Sequence, residues 1–137
     1  MYRVTVNRER PDYRVFIDLL FGKNRNVDTD GNSCPANSRT WTYLYIKDRE
    51  SEIPCVEISE LPHDPGIFSV VSDNERLAEL AAIYLFTYSG LSISTPTTTL
   101  STEDINVLND KYFMELGNAR SAVWHLSSDV CPYPNLR

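Results

Sequence analysis

Glycine is scarce in this chain, with five residues in 137. None falls in a G-x-G-x-x-G or G-x-x-x-x-G-K pattern, so the backbone cradles that hold nucleotide phosphates are missing. Cysteine is scarcer still. Cys34, Cys55 and Cys131 are odd in number and far apart, unlike the dense, even framework of a small secreted domain. The two histidines, His63 and His125, are isolated as well. No C-x-x-C or H-x-x-x-H spacing offers a pair of zinc ligands, so neither metal nor cofactor is expected. The longest unbroken apolar run, residues 80–86, is far short of the ~18 residues that a membrane span needs. The N-terminal stretch MYRVTVNR holds no apolar core of signal-peptide length, and a cytoplasmic location is the expectation.

Acidic charge, by contrast, is plentiful. The chain carries 13 basic and 19 acidic residues, a net charge of −6. Six of the basic residues lie in the first 25 positions (Arg3, Arg8, Arg10, Arg14, Lys23, Arg25), against three acids (Glu9, Asp12, Asp18). The remainder is strongly acidic, most densely at Asp48, Glu50, Glu52, Glu57, Glu60 and Asp64. Phosphate contacts need Lys and Arg, so this balance disfavours nucleic acid as a general partner and favours a basic one.

At this length one domain, residues 1–137, can bury a core without disulfides or metal. The alternation Tyr2-Arg3-Val4-Thr5-Val6 predicts a first strand. Pro11-Asp12 opens a helix with Val15, Phe16, Leu19 and Leu20 on one face and Gly22 at its end. Residues 23–39, rich in Asn, Asp, Ser and Gly, read as one long polar loop. Strands are expected over 40–47, 53–58 and 67–71, the first two as a hairpin. Residues 72–90 predict the central helix. Ser72 and Glu75 suit a capping box, Leu77, Leu80, Ala81, Tyr84, Leu85 and Tyr88 recur at helical spacing, and Gly90 suits a left-handed end. Little polar face is left, which marks a buried helix. A short strand at 91–93, a Thr-rich loop and a second capping signal at Ser101 follow. The last helix carries Ile105, Leu108, Tyr112 and Leu116, ends at Gly117-Asn118 and leads to a final strand at 120–126. The sum is an α/β (α+β) domain: a mixed, mainly antiparallel sheet of about five strands packed against two or three helices.

Three patterns touch on chemistry. Asn26-x-Asp28-x-Asp30-Gly31 has the opening of a calcium loop, but Asn37 stands where the bidentate glutamate belongs, and a turn is the better reading. Nucleophilic catalysis lacks a G-x-S-x-G elbow and a cysteine at a helix N-terminus, so the chain reads as a non-enzyme. The alternatives are a small hydrolase-like enzyme using a cysteine with His63 or His125, or an accessory protein that holds nucleic acid with its basic N-terminal segment. Lastly, a period of two places Trp41, Tyr43 and Tyr45 on one face of a strand, and Tyr and Trp are favoured anchors of binding surfaces.

Together these features outline a partner-binding surface made of Asp28, Asp30, Trp41, Tyr43, Tyr45, Asp48, Glu50, Glu52 and Glu57. In size, acidity and want of a catalytic motif, the chain resembles the bacterial immunity proteins of polymorphic and contact-dependent toxin systems. Those are small cytoplasmic α/β domains that block a cognate toxin, often a nuclease. The resemblance implies a basic toxin domain as partner and transfers no residue roles.

Overall fold

A computed structural model describes residues 1–22, 25–34 and 37–122. The elements run β1 (Tyr2–Val6), α1 (Arg14–Phe21), β2 (Val27–Gly31), β3 (Tyr43–Asp48), β4 (Val56–Leu61), β5 (Asp64–Val71), α2 (Glu75–Ser89), β6 (Gly90–Ser94), α3 (Thr102–Lys111) and α4 (Phe113–Arg120). The six strands form one sheet in the order β2-β3-β4-β5-β1-β6, and every neighbouring pair is antiparallel. The fold is thus α+β, with one strand more than the alternation of apolar residues predicts and no parallel pair among the described residues.

Alternation along each strand decides which face is covered. Leu44, Ile58 and Val70 pair across three strands, and Phe68, Val4 and Ile93 across the next three. All six are essentially inaccessible and form the floor of the core. α2 lies on this floor against β1, β5 and β6, with α1 and α3 beside it. Its residues from Leu77 to Leu85 are all buried except Glu79, as its nearly continuous apolar girth requires. The opposite face carries Arg3, Thr5, Tyr43, Tyr45, Lys47, Glu57 and Ser59 and has no helix on it among the described residues, the usual one-sided cover of an antiparallel sheet.

Several boundaries differ from the sequence-based expectation. The 23–39 stretch is not one loop, because Val27–Gly31 pairs with β3 as the sheet edge. Its polarity hid it: an edge strand is half solvated and is commonly kept polar, which blocks pairing with other chains. The cap of α2 is Asn74, whose Oδ1 accepts from the Leu77 backbone N–H; Ser72 instead accepts from the Asn74 N–H. Asn74→Ala should therefore cost about 1 kcal/mol and Ser72→Ala less, measured by urea unfolding. Gly90 is extended (φ −90°, ψ 150°) rather than left-handed. It is needed because a Cβ there would stand 2.6 Å from the Phe86 Cα; the chain turns from helix to strand too tightly for a side chain. The last helix breaks at Tyr112 and resumes through Gly117 and Asn118, so those two residues do not stop it. Arg120 is helical and Ser121 caps its helix, so the expected final strand does not start there; its residues 123–126, with His125, and Cys131 beyond them lie outside the described residues.

Two polar clusters fasten the helices. Asp12, just before α1, accepts from Arg14 Nε at 2.9 Å and Nη2 at 2.7 Å and from the Arg14 backbone N–H, with both side chains buried. Glu79 on α2 accepts from Tyr2 of β1, from Lys111 at the end of α3 and from the Tyr112 hydroxyl. Burial raises the Glu79 pKa, but the hydrogen bonds from Lys111, Tyr112 and Tyr2 outweigh it and leave the carboxyl below its ordinary value. A carboxyl depressed in the folded state stabilises at pH values above its unfolded pKa and loses that contribution as pH falls through the folded one. Glu79→Gln should cost about 1–3 kcal/mol at pH 7, and the deficit should shrink in unfolding curves recorded toward pH 3.

Candidate interaction face

The sheet register assembles part of the expected binding surface. β2 and β3 pair Asp28 with Lys47 and Asp30 with Tyr45. β3 and β4 pair Tyr45 with Glu57 and Tyr43 with Ser59. Asp30, Tyr45, Glu57 and Val71 thus form one row across four strands of the open face, with Tyr43 a step along β3. Burial, reinforced by Glu57 and Asp30, raises the Tyr43 hydroxyl pKa. Burial, then the Cys55 thiol and Asp28, does the same for Tyr45. Both hydroxyls therefore stay protonated as hydrogen-bond donors in neutral solution.

The acids on this face differ in availability. Arg49 covers Asp28 with a 3.0 Å ion pair, and Lys47 turns its ammonium to the Ile53 carbonyl. Asp30 and Glu57 have no ion-pair partner among the described residues.

Other members of the expected surface are elsewhere. Trp41 is 1% exposed. It precedes β3, so the period of two does not reach it: the strand begins where Asn32 Oδ1 accepts from the Thr42 and Tyr43 N–H groups. The indole turns into the core, stacks edgewise on Phe16 and Phe68 and donates to the Pro11 carbonyl. Asp48 is also 1% exposed. It accepts from Arg25, from the Glu50 N–H and from Ser51, and the Arg25 hydrogen bond, ahead of the opposing effect of burial, holds its pKa below the usual range. Asp48 organises the β3–β4 connection and cannot meet a partner. Glu50 accepts from the Asn26 N–H and lies 3.6 Å from Arg25. Glu52 is exposed on the connection, off the tyrosine row. The Asn26–Gly31 pattern is neither a turn nor a calcium loop, because residues 27–31 are strand and their side chains alternate between faces. Among the described residues no three His, Cys, Asp or Glu side chains group closely enough to hold a metal.

Half of the cations of the basic N-terminal segment are used internally. Arg10 donates to the Trp41 carbonyl and lies over the Phe68 ring, Arg14 pairs with Asp12 and Arg25 with Asp48. Three of its six cations are thereby withdrawn from any phosphate-binding role. His63 sits in the exposed two-residue turn between β4 and β5, and no hydrogen bond joins it to the free thiols of Cys34 or Cys55.

Sequence reasoning did not anticipate Lys47 and Cys55 as neighbours of the tyrosines. Only the strand register reveals them, and it depends on the unrecognised β2 and on where β4 starts. No family model, curated protein or solved structure matches this chain. What fold and site define is a class: an antiparallel α+β domain with helices on one face of the sheet and, on the other, tyrosines flanked by Asp30 and Glu57.

Proposed function

We propose that this chain is a binding protein that holds a basic partner protein on the open face of its sheet, as an immunity protein holds and neutralises its toxin. The observation that carries this reading is the cross-strand row Asp30–Tyr45–Glu57, in which a tyrosine is flanked by two acids lacking ion-pair partners among the described residues. Tyrosine supplies large contact area with a polar tip. Unpaired acids supply the long-range field that speeds encounter with a basic surface. The chain's charge of −6 acts in the same direction, and three of its six N-terminal cations are bound within the fold. A nuclease toxin, with a basic substrate path, has the complementary charge.

The test is photo-crosslinking in the native host with p-benzoylphenylalanine in place of Tyr45, and in place of Thr87 on the helical side. A discrete adduct with a basic protein, formed from position 45 and absent from position 87, is expected. Adducts from both positions alike, or none from position 45, would remove the reading.

A further inference from the structure

On the helical side, away from the tyrosine row, α1, α2, α4 and the Arg39 loop enclose a cavity of about 330 Å³. This is within the range of small-molecule sites. Val15 and Ala119 give it apolar walls, and Asp12, Arg39, Tyr84, Tyr88 and Arg120 give it polar ones.

The charge in this cavity runs against the rest of the molecule. Asp12, its one acid, is neutralised by Arg14 through two side-chain hydrogen bonds. Arg39 and Arg120 then remain as the charges without an ion-pair partner among the described residues. Arg39 lies over the Tyr88 ring and donates to its hydroxyl, and its backbone carbonyl accepts from the Arg10 N–H at 2.9 Å, so its guanidinium is held at the cavity before anything binds. Arg120 is exposed and makes no ion pair among the described residues.

Tyr84 adds a fixed donor to the two guanidinium groups. Only 4% of the residue is exposed, and its ring packs edgewise on Phe16. Yet its hydroxyl has no hydrogen-bond partner among the described residues while it lines the cavity. The hydroxyl opens into a cavity that also holds two guanidinium groups and is placed to donate to an anion. Burial, then the neighbouring Tyr88, keeps it protonated, as a donor must be.

We infer that this cavity binds a small organic anion, with its carboxylate or phosphate on Arg39, Arg120 and the Tyr84 hydroxyl and its apolar body against Val15 and Ala119. The site is separate from the protein-binding face, so either can fail without the other.

The test is NMR titration of the full chain with phenyl phosphate, benzoate, inorganic phosphate and benzyl alcohol, following Tyr84, Thr87 and Ala119. Saturable shifts are expected with phenyl phosphate or benzoate, and the better of the two reports whether phosphate or carboxylate is preferred. Losing a charge-assisted hydrogen bond should weaken binding roughly tenfold or more in Arg120→Glu. Tyr84→Phe, which keeps the ring in the core, should weaken it several-fold. Arg120 is exposed, and an unchanged far-UV circular dichroism spectrum will show that the variant folds. No saturable shift with either organic anion would overturn the inference. So would benzyl alcohol binding as well as the anions, inorganic phosphate binding as well as phenyl phosphate, or unchanged affinity in Arg120→Glu.

Discussion

Replacing Asp12 with alanine is expected to destabilise the protein by about 3–5 kcal/mol, read as a lowered urea midpoint with an unchanged slope. The carboxylate is buried, both of its oxygens accept from Arg14, and it also takes the Arg14 backbone N–H at the start of α1. Removing it takes from a buried guanidinium the carboxylate that accepts two of its hydrogen bonds and from α1 a hydrogen bond at its first turn. The cost of a broken buried pair lies mostly in the charge left behind, not in the net worth of the pair. The double variant Asp12→Leu/Arg14→Met should consequently recover much of the loss, because it leaves no charge to desolvate. A double variant as unstable as Asp12→Ala would show that the pair itself, with the backbone hydrogen bond it supports, holds the helix.

Leu80→Ala should cost about 2–5 kcal/mol. Leu80 has no exposed surface and sits near the middle of α2, the helix that contacts β1, β5 and β6 as well as α1 and α3. A cavity there would be walled by elements fixed from several sides, so the surroundings can relax little, and the upper half of that range is the expectation. The same truncation at Val107, a large hydrophobic residue 64% exposed on α3, should change the urea midpoint little. A nearly neutral Leu80→Ala would mean that α2 is not the centre of the core.

The sequence carried the core far better than the surface. The apolar run of α2, the alternation in β1 and the Ser101 capping signal have local causes, and each leads to the observed element. Ser101 makes the full reciprocal box with Asp104. The misses share another cause, which is dependence on distant partners. β2 is strand only because β3 offers it a ladder. Trp41 leaves the tyrosine face because Asn32, bonded to the Thr42 and Tyr43 N–H groups, sets where β3 begins. Asp48 looks like one more turn acid until Arg25, from the other side of α1's exit, is brought against it. Gly90 resembles a helix terminator in sequence, whereas its reason is the nearness of the Phe86 backbone. The open face was legible in outline through Asp28, Asp30, Tyr43, Tyr45 and Glu57. Its sorting into paired and unpaired acids required the register.

That sorting makes the binding reading sharper than charge alone. The most direct measurement is the association rate of the basic partner captured through position 45, compared between the wild-type chain and Asp30→Lys/Glu57→Lys across ionic strength. The double variant should associate about tenfold or more slowly at low salt, with the gap closing as salt screens the field. Equal rates at low salt, or a deficit indifferent to salt, would contradict the assignment of the Asp30–Tyr45–Glu57 row as the surface that receives a basic protein.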